Sequence, residues 1–144
     1  MEAVETKALR QELQQNLQAA RHSRADGNEG RARVQARILA GRAVEVYALA
    51  HSPNTHPQRS AYEWLKWLAS QDSIPEEISN AARRLTVRVT KTFDLPHPED
   101  PLEDAWLIVE DMLDRLDELK TSFNAGDGER VEKLLELGKQ LAGV

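Results

Sequence analysis

The segment NEGRARVQARILAGRAVEVYALAH, residues 28–51, decides the fold because it predicts a helix with two apolar faces. At 100° per residue, one face collects Ala36, Leu39, Ala43, Val46, Tyr47 and Ala50. The other face collects Val34, Ile38, Gly41, Ala48 and Leu49. A helix that is apolar on two sides is typical of a central element, so we predict that it has neighbours on both sides.

The same helix carries four arginines and several small residues. Arg33 and Arg37 lie in one seam between the two faces, and Arg31 and Arg42 lie in the other. Arginine stems can pack along apolar surface while their guanidinium groups reach water, so these seams are compatible with a central helix. Its small residues, Gly41 among them, predict that a neighbouring backbone approaches closely.

Apolar periodicity and capping signals predict five further helices. The first covers residues 3–24, and the turn ADGNEG separates it from the second. Ser60 with Glu63, and Ser73 with Glu76, have the spacing of a capping box. These two pairs therefore predict the starts of the third and fourth helices.

The fifth helix has the clearest pattern, and it follows Asp100, a good N-cap residue. Its apolar seam contains Leu102, Ala105, Val109, Met112, Leu116, Leu119 and Phe123, with Trp106 and Leu113 beside it. Asp127 predicts the start of a sixth helix, and no segment convincingly predicts a strand. The sequence thus predicts an all-α fold: an antiparallel bundle of five to six helices in one domain over residues 1–144, with the alanine/arginine-rich second helix at its centre.

Composition and charge exclude several classes of protein. The chain has 144 residues, no cysteine and a net charge of −5, which excludes disulfide scaffolds, thiol nucleophiles and cysteine-ligated zinc. Residues 99–144 hold 13 acidic and 5 basic side chains, so the acidity is concentrated at one end. The N-terminus lacks an apolar signal, and no apolar run is long enough to span a bilayer. We therefore expect a cytoplasmic protein that does not bind membranes.

The fifth helix also carries an acidic stripe. Glu103, Glu110 and Asp117 recur every seven residues, and each has an acidic neighbour in the chain. Such a stripe can be a solvated face, a surface for a partner, or a metal site built with carboxylates from a second helix. No Glu-x-x-His pair accompanies it, so we predict no metal site.

Two candidate binding groups contain basic residues. Arg84, Arg88 and Lys91 form a basic stripe on the fourth helix that could contact phosphates or pair with the acidic helix. Glu45 lies on an apolar face, where a carboxylate needs a partner, and Arg42 is the nearest one. This second pair could be structural, or it could line a small pocket with Tyr47.

Catalytic motifs are not found. The four histidines are scattered, and the sequence has no nucleophile elbow, phosphate-binding loop or dinucleotide fingerprint. We therefore predict no enzymatic activity, no catalytic residue and no cofactor.

The stretches GNEGRARVQARILAGRAVEVYALAH and SAYEWLKWLASQDSIPEEISNAARRLTVRVTKTF resemble an uncharacterised group of small bacterial helical proteins. More distantly, the arrangement is similar to the HEPN superfamily of helical bundles, many of which are nucleotidyltransferase partners or ribonucleases. The resemblance implies a bundle that tends to dimerise. Ribonuclease members carry an arginine followed four to six residues later by a histidine, and no arginine and histidine here have that spacing. No catalytic residue is therefore carried over.

Two functional hypotheses follow. The first is a non-enzymatic cytoplasmic interaction module that binds another protein or forms a homodimer through exposed helix faces. The alternative is a HEPN-like protein that binds nucleotide or RNA, for instance as one member of a toxin–antitoxin pair. Nucleic-acid contact is not favoured, because the chain is acidic overall.

Overall fold

The computed structural model describes residues 6–51, 59–87 and 96–124, the last five of them without their side chains. Five α-helices account for most of these residues: α1 Thr6–Ala25, α2 Glu29–His51, α3 Ala61–Ala69, α4 Glu76–Thr86 and α5 Pro101–Asn124. No strand is found in the described ranges, which confirms the all-α prediction. The predicted sixth helix lies outside the described residues.

The turn between α1 and α2 forms as its sequence predicts. Gly27 has a φ of 82°, a conformation that glycine adopts without steric cost. The side-chain oxygen of Asn28 then accepts a hydrogen bond of 3.1 Å from the backbone N–H of Arg31. This cap satisfies one of the free N–H groups at the start of α2, so the chain reverses and a new helix begins.

Of the two predicted capping boxes, one forms and one does not. Ser60 accepts from the backbone N–H of Glu63, and the Glu63 carboxylate accepts from the backbone N–H of Ser60, which confirms the start of α3. The box at Ser73 is wrong: α4 begins at Glu76, its N-cap is Pro75, and no side chain caps it. Proline has the φ needed at a helix start, so this helix begins without the serine.

The helix α5 begins as predicted after Asp100, whose carboxylate accepts a hydrogen bond of 3.1 Å from the backbone N–H of Leu102. The predicted seam is buried as far as Leu116, and Ile108, which was not part of the prediction, is buried with it. The side chain of Phe123 lies outside the described part of the chain.

Contacts between side chains show how the helices run. Thr6 donates to Asp117 at one end of α1, and Arg24 donates to Asp100 at the other, so α1 and α5 are antiparallel. The helix α2 reverses the direction of α1 and contacts each of the other four helices. Buried apolar residues from all five helices form one cluster, so the prediction that the second helix is central is confirmed.

The prediction of two buried faces on α2 is wrong for one half of the helix. Gly41 and Ala48 are buried, but Val34 and Ile38, on the same predicted face, are 49% and 55% exposed. The start of α3 packs on Gly41 through Ala61, so α3 covers only the edge of this face that holds Gly41. The strip through Ile38, Arg42 and Glu45 stays exposed or partly exposed along α2.

Candidate interaction surface

The uncovered side of α2 is the first element of the candidate surface. It consists of Arg31, Val34, Ile38, Arg42 and Glu45, which fall within about 80° of one another on the helix, and we call it the α2 flank. Its centre is apolar and its ends are charged. Among the residues that the structure describes, Arg31 has no ion pair for its guanidinium group.

Two other exposed apolar residues belong to segments that contact α2: Tyr62 of α3 and Val87, the C-cap residue of α4. The start of α3 packs on Gly41 through Ala61, the residue before Tyr62. Arg37 donates a hydrogen bond of 3.0 Å from Nε to the backbone carbonyl of Leu85, which brings the end of α4 and the nearby Val87 to α2. Of the two α2 residues in these contacts, Arg37 lies in the N-terminal half of the helix and Gly41 near its middle.

These positions account for every large apolar side chain that is exposed within the described ranges: Val34, Ile38, Tyr62 and Val87, at 37% to 55%. Single exposed apolar residues are common on protein surfaces and need no explanation. Here two of the four lie on one side of α2 and the other two belong to segments that contact α2, and a concentration of exposed apolar residues in one region is typical of protein interaction sites.

The pair predicted between Arg42 and Glu45 is present. The Arg42 guanidinium donates to Glu45 at 2.8 Å, and Glu12 of α1 lies 3.8 Å from the same guanidinium. The Glu45 side chain is 26% exposed, so its carboxylate is at the border of the patch and has its partner. Tyr47, by contrast, is buried.

The basic stripe is described at one of its three residues. Arg84 forms two hydrogen bonds of 2.9 Å with the carboxylate of Asp104, which is buried. These hydrogen bonds raise the pKa of the Arg84 guanidinium and hold it against α5. Arg88 and Lys91 lie outside the described residues.

The acidic stripe of α5 is largely matched by positive or donor groups on its neighbours. Arg10 of α1 contacts Glu110 at 2.6 Å, and Thr6 donates to Asp117 at 2.6 Å. Arg115 pairs with Asp111 within α5 itself. Throughout the described ranges, no group of three or more histidines and carboxylates is arranged to hold a metal ion.

An ion cluster around Arg24 joins the ends of three helices. Arg24, near the end of α1, forms paired hydrogen bonds of 2.6 to 3.1 Å with Glu29 of α2 and with Asp100, the residue before α5. These hydrogen bonds lower the pKa of both carboxyl groups and raise that of Arg24. Both partners of Arg24 belong to the same chain, so this cluster stabilises the junction of the three helices.

Sequence reasoning did not find two further features. An aromatic cluster joins the end of α2 to α3: the Tyr47 ring stacks on His51 at 5.5 Å, and Trp67 lies 6.4 Å from Tyr47 and 5.9 Å from Trp64. The indole N–H of Trp64 is buried and has no acceptor among the described residues. Within each helix, the pairs Tyr47 with His51 and Trp64 with Trp67 have spacings of four and three residues and could be predicted, whereas the contact of Tyr47 with Trp67 depends on the packing of α3 on α2.

The second is a broad, open depression of about 690 Å³ between α1 and α5. Its lining is mainly uncharged and polar: Gln11, Gln14, Gln15, Leu17, Gln18, Arg21 and Trp106. The glutamines recur at three and four residues, which could have indicated one polar face. No buried charge points into the depression, so it provides little to select a ligand.

The structure and comparisons with known proteins add two findings. Within the described ranges, no helix is both long and apolar enough to cross a membrane. No family model, curated protein or solved structure matches the chain.

Proposed function

We propose that this chain is a non-enzymatic interaction module that binds a protein through the α2 flank. The observation that supports the proposal is the position of the exposed apolar side chains. Val34 and Ile38 lie on the flank, and Tyr62 and Val87 belong to the segments that contact α2 at Gly41 and Arg37. A partner that covered these four residues would remove their apolar surface from water, which favours association by about 25 cal/mol per Å² buried.

Replacement of Ile38 tests the proposal. Ile38→Asp puts a charge at the centre of the patch, where burial by a partner would cost several kcal/mol. The matched control is Gln15→Asp, which is also at an exposed helical position, on α1. We expect Ile38→Asp to abolish the association of the purified chain, with itself or with a protein captured from its native lysate, and Gln15→Asp to retain it.

Two results would contradict the proposal. One is a wild-type chain that stays monomeric and captures no protein. The other is an association that Ile38→Asp leaves as strong as Gln15→Asp does, because the binding surface would then lie elsewhere.

The HEPN-like alternative, a protein that binds nucleotide or RNA, depends on the basic stripe. Arg84 already donates to Asp104, so its guanidinium is less suited to a phosphate than an unpaired one. The alternative predicts salt-sensitive RNA binding that weakens when Arg84 and Arg88 are both replaced by alanine. Unchanged RNA binding in that variant would exclude this surface.

A further inference from the structure

We propose that the partner of the α2 flank is a second copy of this chain, with the two α2 helices packed antiparallel and crossing at Ile38. This inference rests on the proposed function, because it uses the same surface and names its occupant. Its basis is the order of Arg31 and Glu45 along the flank. These two charges face opposite charges of a second copy only when the two α2 helices run antiparallel.

The charges stand at equal distances from Ile38. Arg31 precedes Ile38 by seven residues, and Glu45 follows it by seven, so both lie about 10 Å from it along the axis. In an antiparallel pair that crosses at Ile38, the Arg31 guanidinium of each copy faces the Glu45 carboxylate of the other. A twofold axis makes both contacts at once, as an isologous dimer interface requires.

The opposite orientation has no such match. In a parallel pair, Arg31 would face Arg31 and Glu45 would face Glu45, which places like charges together at both ends. Like-charge contacts across an interface are unfavourable, so the charge pattern selects the antiparallel arrangement.

The exposure of Arg31 and the existing contact of Glu45 agree with this pairing. Arg31 is exposed and has no ion-pair partner in the described part of the chain, so it is available to a second copy. Glu45 contacts Arg42 through one carboxylate oxygen at 2.8 Å, which leaves acceptor capacity for a second arginine.

The crossing point itself is apolar, because Ile38 of one copy meets Ile38 of the other where antiparallel helices lie about 8–10 Å apart. Val34 of each copy stands opposite Arg42 of the other, whose aliphatic stem can pack along it while its guanidinium group stays with Glu45. This patch is small, and we therefore expect a dissociation constant on the order of micromolar or weaker.

Charge reversal tests the inference with the full-length chain. In Arg31→Glu, two negative residues face each other at both ends of the antiparallel pair, and in Glu45→Arg, two positive residues do. We expect each single variant to dimerise at least about tenfold more weakly than the wild type in sedimentation equilibrium. Position 31 is in the first turn of α2, where a glutamate favours the helix, so this variant will fold.

Mixing the variants gives the decisive result. An equimolar mixture of Arg31→Glu and Glu45→Arg should form a heterodimer, because every facing pair then has opposite charges. The double variant R31E/E45R should recover the homodimer for the same reason. The controls are Lys7→Glu and Glu118→Arg, which reverse exposed charges on α1 and α5 and should leave the dimer unchanged.

Failure of this inference can be told apart from failure of the proposed function. A wild-type chain that stays monomeric at millimolar concentration, or a dimer insensitive to both reversals, would overturn the antiparallel pairing. If Ile38→Asp still abolished binding to a different protein, the interaction surface would stand and only its occupant would be wrong. If Ile38→Asp changed no association at all, both proposals would fall.

Discussion

Gly41 shows how one residue sets the approach of two helices. A Cβ atom built on it would lie 2.6 Å from the Cβ of Ala61 and 2.7 Å from its Cα. Atoms this close would overlap, so any side chain at this position pushes the start of α3 away from α2. The sequence predicted a close approach at the small residues of α2, and the structure supplies the partner.

The replacement Gly41→Ala tests this contact. We expect it to reduce the free energy of unfolding by about 1–3 kcal/mol, because the backbone of Ala61 must move to admit the methyl group. The matched control is Gly30→Ala in the same helix, where a Cβ would meet nothing within 4 Å. The control should leave stability unchanged or raise it by up to about 1 kcal/mol, since alanine favours a helix over glycine. Equal effects of the two replacements in urea denaturation would show that the helices are not in contact at Gly41.

At the scale of the elements, the starts of α3 and α4 look alike in sequence and differ in structure. Ser60→Ala removes a formed cap, and we expect it to cost about 1 kcal/mol. Ser73→Ala removes a serine that caps nothing, because Pro75 begins α4, and its effect should be within about 0.5 kcal/mol. Thermal denaturation of the two variants checks the difference. A loss at Ser73 as large as that at Ser60 would mean that α4 is capped by its serine after all.

Arg24 joins three elements, and its effect depends on pH. Its hydrogen bonds hold the pKa values of Glu29 and Asp100 below their ordinary values of 4.5 and 3.8. A carboxyl group with a lowered folded-state pKa stabilises the fold above its ordinary pKa, and this stability is lost as the pH falls through the lowered value. The contribution of Arg24 is therefore complete near neutral pH and declines below about pH 4.

The replacement Arg24→Met tests this dependence. We expect it to cost on the order of 1 kcal/mol at pH 7, because all three side chains are partly exposed to water. The difference from the wild type should shrink in denaturant titrations as the pH falls from 6 to 3. Lys7→Met, on an exposed part of α1, is the control and should show little change at either pH. A difference that stayed constant over this range would argue against the ion cluster.

At the scale of the whole molecule, two adjacent residues of α2 have different environments: Leu39 is in the core, and Ile38 is on the proposed interaction surface. Leu39 is fully buried, and we expect Leu39→Ala to cost about 2–5 kcal/mol because it leaves a cavity in the core. Ile38 is 55% exposed, so Ile38→Asp should cost about 1 kcal/mol or less in the dilute monomer. Chemical denaturation at low protein concentration measures both. A large loss at Ile38 would place this residue in the core and remove the basis of the proposed surface.

The sequence by itself determined the five helices of the described ranges and most of their ends, because periodicity, caps and turns depend on residues that are near one another along the chain. It also determined that α2 is central and that Arg42 pairs with Glu45, three residues away. It did not determine which neighbours cover α2. That depends on which edge of α2 the helix α3 packs against, and its contact at Gly41 leaves Val34 and Ile38 exposed.

Only the tertiary structure decided which charged side chains pair and where the exposed apolar residues lie. Arg84 and Asp104 are 20 residues apart, and no local rule pairs them, yet the packing of α4 on α5 joins their side chains. Likewise, Val34, Ile38, Tyr62 and Val87 come from three parts of the chain, and each alone is an ordinary surface residue. The start of α3 and the end of α4 both meet the same stretch of α2, and such contacts between distant segments are set by packing.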